Sequence, residues 1–387
     1  TLFTLFTLFT LFTLFTLFTL LQQILEAPSD TAMTVVSNEV LVSADDEWSP
    51  LKSVIVGRAE DSAFPAEPPH LISAVMPEGY WDEFKPNNPF PAFVVENAQK
   101  ELDNFASVLE QLGVQVYRPT KVNWVKAGGY TGSMCRDGLM TVGNTLIESA
   151  FAFGSRRHEI DLGYSDILAD LSSKGSSTIV RAPRIIGRDT IYDGVAESIR
   201  AGQGRGATMS INNSRIAFDT ADFMRFGKTI IGQLSHVTNE RGVAYVRSVV
   251  PEGYTVEILD TGMRPGNMHI DTTILPLRHG LMIYSPKYVS EESIRRHAIF
   301  KDWELHAYPF QPEYDPNGPP PYTCSPWLVL NGLSLDEKRI FVEEKNVEFA
   351  KWVQEEFGME PIMLPFQHVN CLGGSFHCAT IDLVRAP

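Results

Sequence analysis

The sequence predicts an α/β fold in a single domain, built either as a closed ring of five like modules or as an α/β sandwich without symmetry. Three observations carry this expectation. A helix–glycine–strand phrase recurs five times after residue 45. A strand–turn–strand phrase recurs four times between those copies. The two ends of the same region supply one strand each of a fifth pair, so the termini would meet and close the ring.

The elements follow in order. "LKSVIVGRA" is the first strand. In "VVENAQKELDNFASVLEQLGVQVYRP", the residues Val95, Ala98, Leu102, Phe105, Leu109 and Leu112 fall at helical spacing. Gly113 ends that helix, and "VQVYRP" alternates as a short strand. The same phrase returns as "RGVAYVRSVVPEGYTVEILD" and "NVEFAKWVQEEFGMEPIMLPF", and more weakly as "YSDILADLSSKGSSTIVRAP" and "SEESIRRHAIFKDWELHAYP". The hairpins are "GLMTVGNTLIES", "FMRFGKTIIGQ", "TILPLRHGLMIYS" and "LNGLSLDEKRIFVE", each with Gly, Asn or Asp between β-rich runs. "HCATIDLVRA" is the last strand and the partner expected for the first. In a ring, the middle of the fold is an axial pocket into which equivalent positions of the modules converge.

Composition bounds the function. The chain has 387 residues, 44% hydrophobic and 20% charged, with a formal net charge of −15. It lacks the basic stripe of a nucleic-acid binder, and its acidity favours small cationic partners. Four irregularly spaced cysteines, Cys135, Cys324, Cys371 and Cys378, point to a reducing, cytoplasmic compartment rather than a disulfide scaffold. Residues 1–20 repeat "TLF" with a period that fits neither helix nor strand. Residues 1–45 read as a low-complexity extension, with membrane attachment as the other reading of its apolar run, and 46–387 as the folded domain. No other run is long enough to span a bilayer, so no membrane association of the domain is expected.

The polar residues capable of chemistry gather just before the hairpins. "MCRDG" brings Arg136 and Asp137, "FDTADF" brings Asp219 and Asp222, and "NMHIDTT" brings His269 and Asp271. "TCSPW" brings Cys324 and Ser325, and "SFHCAT" places Cys378 at the opening of the last strand. His269 and Asp271, two apart, would share one face of a strand. His377 would point away from Cys378 into packing or a hydrogen bond. A pocket holding a thiol, a histidine and several carboxylates has one coherent use. Carboxylates alone raise a thiol pKa, so the set needs a bound cation, and paired carboxylates fit the planar fork of a guanidinium. A thiolate beside a histidine can then attack the central carbon of that group and expel an amine.

Rival readings attach to single motifs. "HVNCLGGSFHC" offers His368, Cys371, His377 and Cys378 as a zinc set, though adjacent His and Cys are poor tetrahedral ligands. Cys371 reads as a small packed residue. "GQGRG" (Gly202 to Gly206) resembles a phosphate loop only loosely and reads as a flexible loop. Arg156 and Arg157 in "GSRRHE" read as surface or interface charges, and Asp222 as either a support for Asp219 or a turn residue.

The segments "SVIVGRAE", "RDGLMTVGNTLIE", "FDTADFMRFG", "SHVTN", "MHIDTT", "LDEKRIFV" and "GGSFHCAT" together resemble the amidinotransferase family, from about residue 46 to the end. The resemblance implies the five-bladed, pseudo-symmetric α/β propeller called the pentein fold. It implies Cys378 as nucleophile, His269 as general acid/base and Asp219 as the carboxylate that orients it. It places Asp137 and Asp271 as substrate-binding carboxylates, with Arg136, Met268, Cys324 and Ser325 also beside the substrate. It implies L-arginine and an amine acceptor as substrates, no metal or organic cofactor, and a homodimer. Some positions depart from the family. Lys287 and Tyr288 in "SPKYV" stand where an arginine for the substrate carboxylate is usual. Cys324-Ser325 replaces a serine pair, "MCRD" replaces "MPRD", and Gly266 replaces an asparagine common in glycine-using members. The chain is therefore similar in character to amidinotransferases of natural-product pathways, such as the cyanobacterial saxitoxin type. The Pro-rich Phe310 to Trp327 segment is a candidate lid.

Overall fold

A computed structural model describes residues 40–66, 77–175, 177–184, 190–191, 211–262 and 268–386. The TLF repeat, the Gly202 to Gly206 loop and Gly266 lie outside them. Among the described residues, fifteen strands form five separate three-stranded sheets. Four sheets share one grammar. β3 (Leu139–Val142) and β4 (Thr145–Glu148) form a hairpin, the helix α2 (Ser165–Lys174) follows, and β5 (Thr178–Val180) returns parallel to β4. β6 (Phe223–Phe226), β7 (Thr229–Gly232), α3 (Glu240–Val249) and β8 (Thr255–Ile258) repeat it. So do β9 (Ile274–Arg278), β10 (Leu281–Tyr284), α4 (Glu291–Arg295) and β11 (Glu304–Ala307). β12 (Leu333–Ser334), β13 (Arg339–Glu343), α5 (Val347–Phe357) and β14 (Glu360–Leu364) make the fourth copy.

The fifth sheet closes the ring. β1 (Leu51–Val56) pairs antiparallel with the C-terminal β15 (Thr380–Arg385), and parallel with β2 (Gln115–Tyr117) after α1 (Ala92–Gln111). The connection follows from geometry: antiparallel strands need only a tight turn, whereas a parallel neighbour needs a crossover, which each helix provides. The fold is thus a five-bladed α/β propeller. The first two strands of each blade are almost wholly buried, while the third strands are half exposed, so each blade runs from a buried inner edge outward. Burial on both faces explains why "LMTV" and "LMIY" read as apolar runs without alternation.

α1 shows how sequence spacing becomes packing. Val94, Ala98, Leu102, Phe105 and Leu109 form its buried stripe, and Gly113 (φ 83°) turns the chain out of the helix. Phe105 meets the rings of Phe341, Phe376 and Phe366 at 5.0, 5.1 and 5.5 Å. This places the helix against the segment that carries Cys378. Truncating a ring so enclosed costs about 3–5 kcal/mol.

The domain begins earlier than the expected boundary at residue 46. Leu41, Val42 and Ala44 are buried. Ser43 exchanges backbone bonds with Leu383 and Arg385 at 2.7 and 2.8 Å, and Ala44 does so with Gly143. "LVSAD" carries no periodic signal because it bridges blades one residue at a time. Among the described residues, no helix is long and apolar enough to cross a membrane.

Candidate active site

Each inner strand is entered through a short helical turn or a tight turn. Cys135–Asp137 precedes β3, Thr220–Asp222 precedes β6, Ile270–Thr272 precedes β9, Pro326–Leu330 precedes β12, and residues 375–379 precede β15. The turns bond to one another across blades. Thr220 Oγ1 donates to the Arg136 carbonyl at 2.6 Å, Asn331 Nδ2 to that of Asp271 at 3.2 Å, and the Arg136 amide to that of Cys378 at 3.0 Å. Five remote segments therefore share one centre.

The Cys378 turn is tightly specified. Asn331 Oδ1 accepts from the amides of Ser375 (2.9 Å) and Cys378 (3.1 Å). Gly374 lies so close that a Cβ there would meet Cys378 Cβ at 2.3 Å and Met134 Sδ at 2.5 Å. His269 stands at φ 61°, a left-handed conformation costly for a side-chain-bearing residue and concentrated at functional sites. Its Nε2 is 3.2 Å from Asp219 Oδ2 and its Nδ1 is 3.5 Å from Asp137 Oδ1. Cys378 Sγ is 3.2 Å from Asp271 Oδ2, which also lies 2.8 Å from His377 Nδ1. His377 Nε2 is 3.3 Å from Glu47 Oε2.

All these groups are buried, and their charges do not close. One oxygen each of Asp137, Asp219 and Asp271 has no hydrogen-bond partner. Buried carboxylates normally find donors, so three oxygens without a hydrogen bond around the Cys378–His269 pair, that of Asp137 meeting the ring only at 3.5 Å, mark a site for a donor-rich cation. Arg156 is the resident guanidinium. It bonds Asp137 at 2.6 Å, Glu159 through two nitrogens at 2.9 and 2.8 Å, and Asp219 at 3.4 Å, with its central carbon over the rings of Phe151 (4.6 Å) and Tyr130 (5.7 Å).

The titration tendencies follow. Burial, then Asp271, push the Cys378 thiol well above its ordinary pKa. Burial works to lower His269, but Asp137, Asp219 and Cys378 outweigh it and hold the imidazole well above its ordinary value. Burial raises Asp137 against the pull of His269 and Arg156. Burial also opposes ionisation of Asp271, yet bonding to His377 holds it below the usual range. Both tendencies favour a neutral thiol beside a protonated imidazole. Asp137, His269 and Cys378 also have their ligating atoms within 4.8 Å of one another, the arrangement that a metal ion needs. The Arg156 guanidinium on Asp137 places a competing positive charge there.

Several expectations are corrected. His269 and Asp271 lie at a helical turn rather than on a strand, and Cys378 lies in the turn before β15. Without strand alternation, His377 and Cys378 reach the same carboxylate, so His377 is part of the cluster. Arg156 is buried rather than a surface charge, whereas Arg157 is exposed. The Arg136 guanidinium, expected beside the substrate, is taken up by Asp382 (2.8 Å) and the His377 carbonyl (3.2 Å). Asp222 accepts from Gln233, Ser235 and Thr238, which makes it the organiser of its own turn. Cys324 and Ser325 line a cavity together with Asn370 and Cys371, with none of the Cys378 cluster's aspartates or His269 among its lining residues. Met268 packs on the Ala152 and Phe153 cluster, and Lys287 is exposed over the Tyr288 ring. His368 bonds Glu101 at 2.6 Å, away from any zinc set. Sequence reasoning missed Glu47, Asn331 and the role of Arg156. The apolar "AFAF" leading into Arg156 was the available signal for its burial; Glu47 and Asn331 carry none.

No protein-family model matches the chain. The L-arginine:L-lysine amidinotransferase of Pseudomonas savastanoi pv. phaseolicola is 34% identical over 354 residues, 88% of this chain and 93% of that one. The mitochondrial glycine amidinotransferase of Gallus gallus is 32% identical over 378 residues, 93% of this chain and 86% of that one. Among solved structures, an amidinotransferase from Microseira wollei in the saxitoxin biosynthetic pathway superposes with a TM-score of 0.77 at 29% identity, covering 89% of this chain and 98% of that one. These likenesses cover 88–93% of the chain, and the chain belongs to the amidinotransferase family of enzymes, with the pentein fold.

Proposed function

We propose that the enzyme moves an amidino group from L-arginine onto Cys378 and then onto an amine. The observation that carries this is the set of three unpartnered carboxylate oxygens around a thiol and a histidine. A guanidinium supplies in one planar group the N–H donors and the positive charge that these oxygens lack.

In this reading the substrate switches on the nucleophile. The incoming cation offsets the carboxylates, the thiol proton leaves to solvent, and a thiolate–imidazolium pair results. The sulfur attacks the guanidinium carbon, and His269 gives its proton to the nitrogen of the departing L-ornithine. The group left on sulfur is a cationic amidino thioether. A neutral acceptor amine attacks its carbon, gives a proton to His269 and displaces the thiolate. Asp219 orients His269, while Asp137 and Asp271 hold the donor. Mass analysis of Cys378 after L-arginine alone tests the first half: a gain of one amidino group with release of ornithine is expected. Citrulline and ammonia without any amine would instead make the enzyme a deiminase-type hydrolase.

For the acceptor, the reading is an amine intermediate of a natural-product (toxin) pathway. Its support is the departures from the family's usual residues at Lys287, Cys324 and Gly266, together with the likeness to the Microseira protein. Competition among amines decides it. Glycine used as well as any larger amine would sink this reading and make guanidinoacetate the product.

A further inference from the structure

Blade four to five holds a second constellation, apart from the Cys378 cluster. The Pro-rich segment from Phe310 to Trp327 lines a cavity of about 410 Å³ together with Leu328, Val329, Glu343, Asn370 and Cys371. The segment is tied down: Tyr314 Oη donates to the Cys324 carbonyl at 2.8 Å, and Gln367 Nε2 to Asp315 Oδ2 at 3.1 Å. The cavity is of the size that takes a small ligand, and Pro319, Pro321, Pro326, Leu328 and Val329 give it an apolar wall.

Its charge is one-sided. Glu313, Asp315 and Glu343 line it, against Lys345 alone. Lys345 Nζ is turned to Glu344 at 3.8 Å. Glu343, the last residue of β13, is 5% exposed; its Oε2 accepts the Lys345 amide at 2.9 Å, and its Oε1 has no partner. A buried carboxylate oxygen without a donor is rare and costly, and here it belongs to a residue that lines the cavity. Burial pushes the Glu343 carboxyl up to about 7, the behaviour of an acid that a cation would hold ionised.

We infer that this cavity is a binding site for a primary alkylammonium, with the Glu343 carboxylate as its anionic contact and the proline-lined wall against its carbon chain. The Pro-rich segment thereby has a use other than closing over the thiol. The ligand is either the remote ammonium of an acceptor substrate or a separate organic cation. The assignment of the cavity stands apart from the amidino-transfer reading; only the choice between those two sources rests on it.

Titration calorimetry of the full chain with putrescine, without arginine, tests the site. Saturable binding is expected, and Glu343→Gln, which keeps the bond to the Lys345 amide, should weaken it about tenfold or more. Choline, which has no N–H donor, should bind more weakly than putrescine. Equal binding by the variant, or none by the wild type, overturns the assignment. A second measurement needs no variant: putrescine should slow maleimide alkylation of Cys324, the half-buried thiol of this wall, and an unchanged rate counts against the site. Kinetics separate the sources. A raised acceptor KM at constant kcat in Glu343→Gln identifies the acceptor, and an unchanged KM with lost putrescine binding identifies a separate cation. Loading of Cys378 by arginine should be unaltered in the variant, and its loss would mean that Glu343 supports the thiol turn instead. Failure of the wild type to load overturns the reading of Cys378, while putrescine binding still judges the cavity.

Discussion

Two buried groups of ions lie at the inner ends of the blades, and they differ in one respect. Around Asp382, each carboxylate oxygen is answered. Oδ1 meets Arg136 at 2.8 Å, and Oδ2 meets Arg225 and Arg385 at 2.7 Å each, while Glu47 takes Arg225 at 2.8 and 2.7 Å. Around Cys378, Asp219 and Asp271 each keep an oxygen unanswered, and the free oxygen of Asp137 meets only the His269 ring, at 3.5 Å and without a hydrogen bond. Both groups are out of water, so burial does not distinguish scaffold from chemistry. Saturation does: a closed set of charges fixes geometry, and an open set is complete only with a ligand. His377 joins them, with Asp271 on one nitrogen and Glu47 on the other.

The sharpest break of this comparison is at the thiol. Cys378→Ala should lower transfer by on the order of a thousandfold or more with little change in melting temperature, since it removes one buried sulfur whose polar neighbours are Asp271 and His269. A variant that keeps its rate would remove Cys378 from the open set. In the closed set, Asp382→Ala strips the partner from three guanidiniums and should cost about 3–5 kcal/mol by urea unfolding. Asp137→Asn should show the converse, a loss of rate with stability within about 1 kcal/mol, because Arg156 keeps Glu159.

Acid should act on the closed set as well. Burial works to raise the Asp382 carboxyl, but Arg136, Arg385 and Arg225 hold it well below the usual range. Its contribution is then complete above the unfolded value of about 3.9, and is lost as pH falls below that through the lower folded value. Urea midpoints that fall more steeply at acid pH in the wild type than in Asp382→Asn would bear this out.

His377→Gln probes the join. One charge-assisted bond to Asp271 is lost, and kcat should drop about tenfold to a hundredfold with a smaller change in KM. A change confined to stability would return His377 to the scaffold. The smallest effect is expected at Ser325→Ala. Ser325 Oγ accepts the Trp327 amide and caps the turn into β12, so about 1 kcal/mol of stability should go while arginine loading of Cys378 holds within about twofold. A large loss of loading would place Ser325 at the donor after all.

Much of the scaffold was readable along the chain. The stripe of α1, its Gly113 stop and the turns of the four hairpins are local features, set by spacing and by backbone freedom within a few residues. The pairing of β1 with β15 could be read because both ends carried an unmatched strand. What could not be read were orientations at the turns. "HID" and "FHCAT" look like strands by composition, and alternation then sends His377 away from Cys378; as turns they send both to Asp271. Arg156 and Arg136 exchanged roles for the same reason, since the residue type fixes what a guanidinium can bond but not which carboxylate it meets.

The sequence by itself determined the blades, their order and the residue types brought to the axis, because helix period, strand runs and glycine turns act over short stretches of chain. Only the tertiary structure decided which carboxylates are closed by arginine and which stay open beside the thiol. That depends on distances between residues up to 330 positions apart, as for Glu47 and His377. It also depends on burial, which turns an unanswered oxygen from a solvated surface group into a binding site.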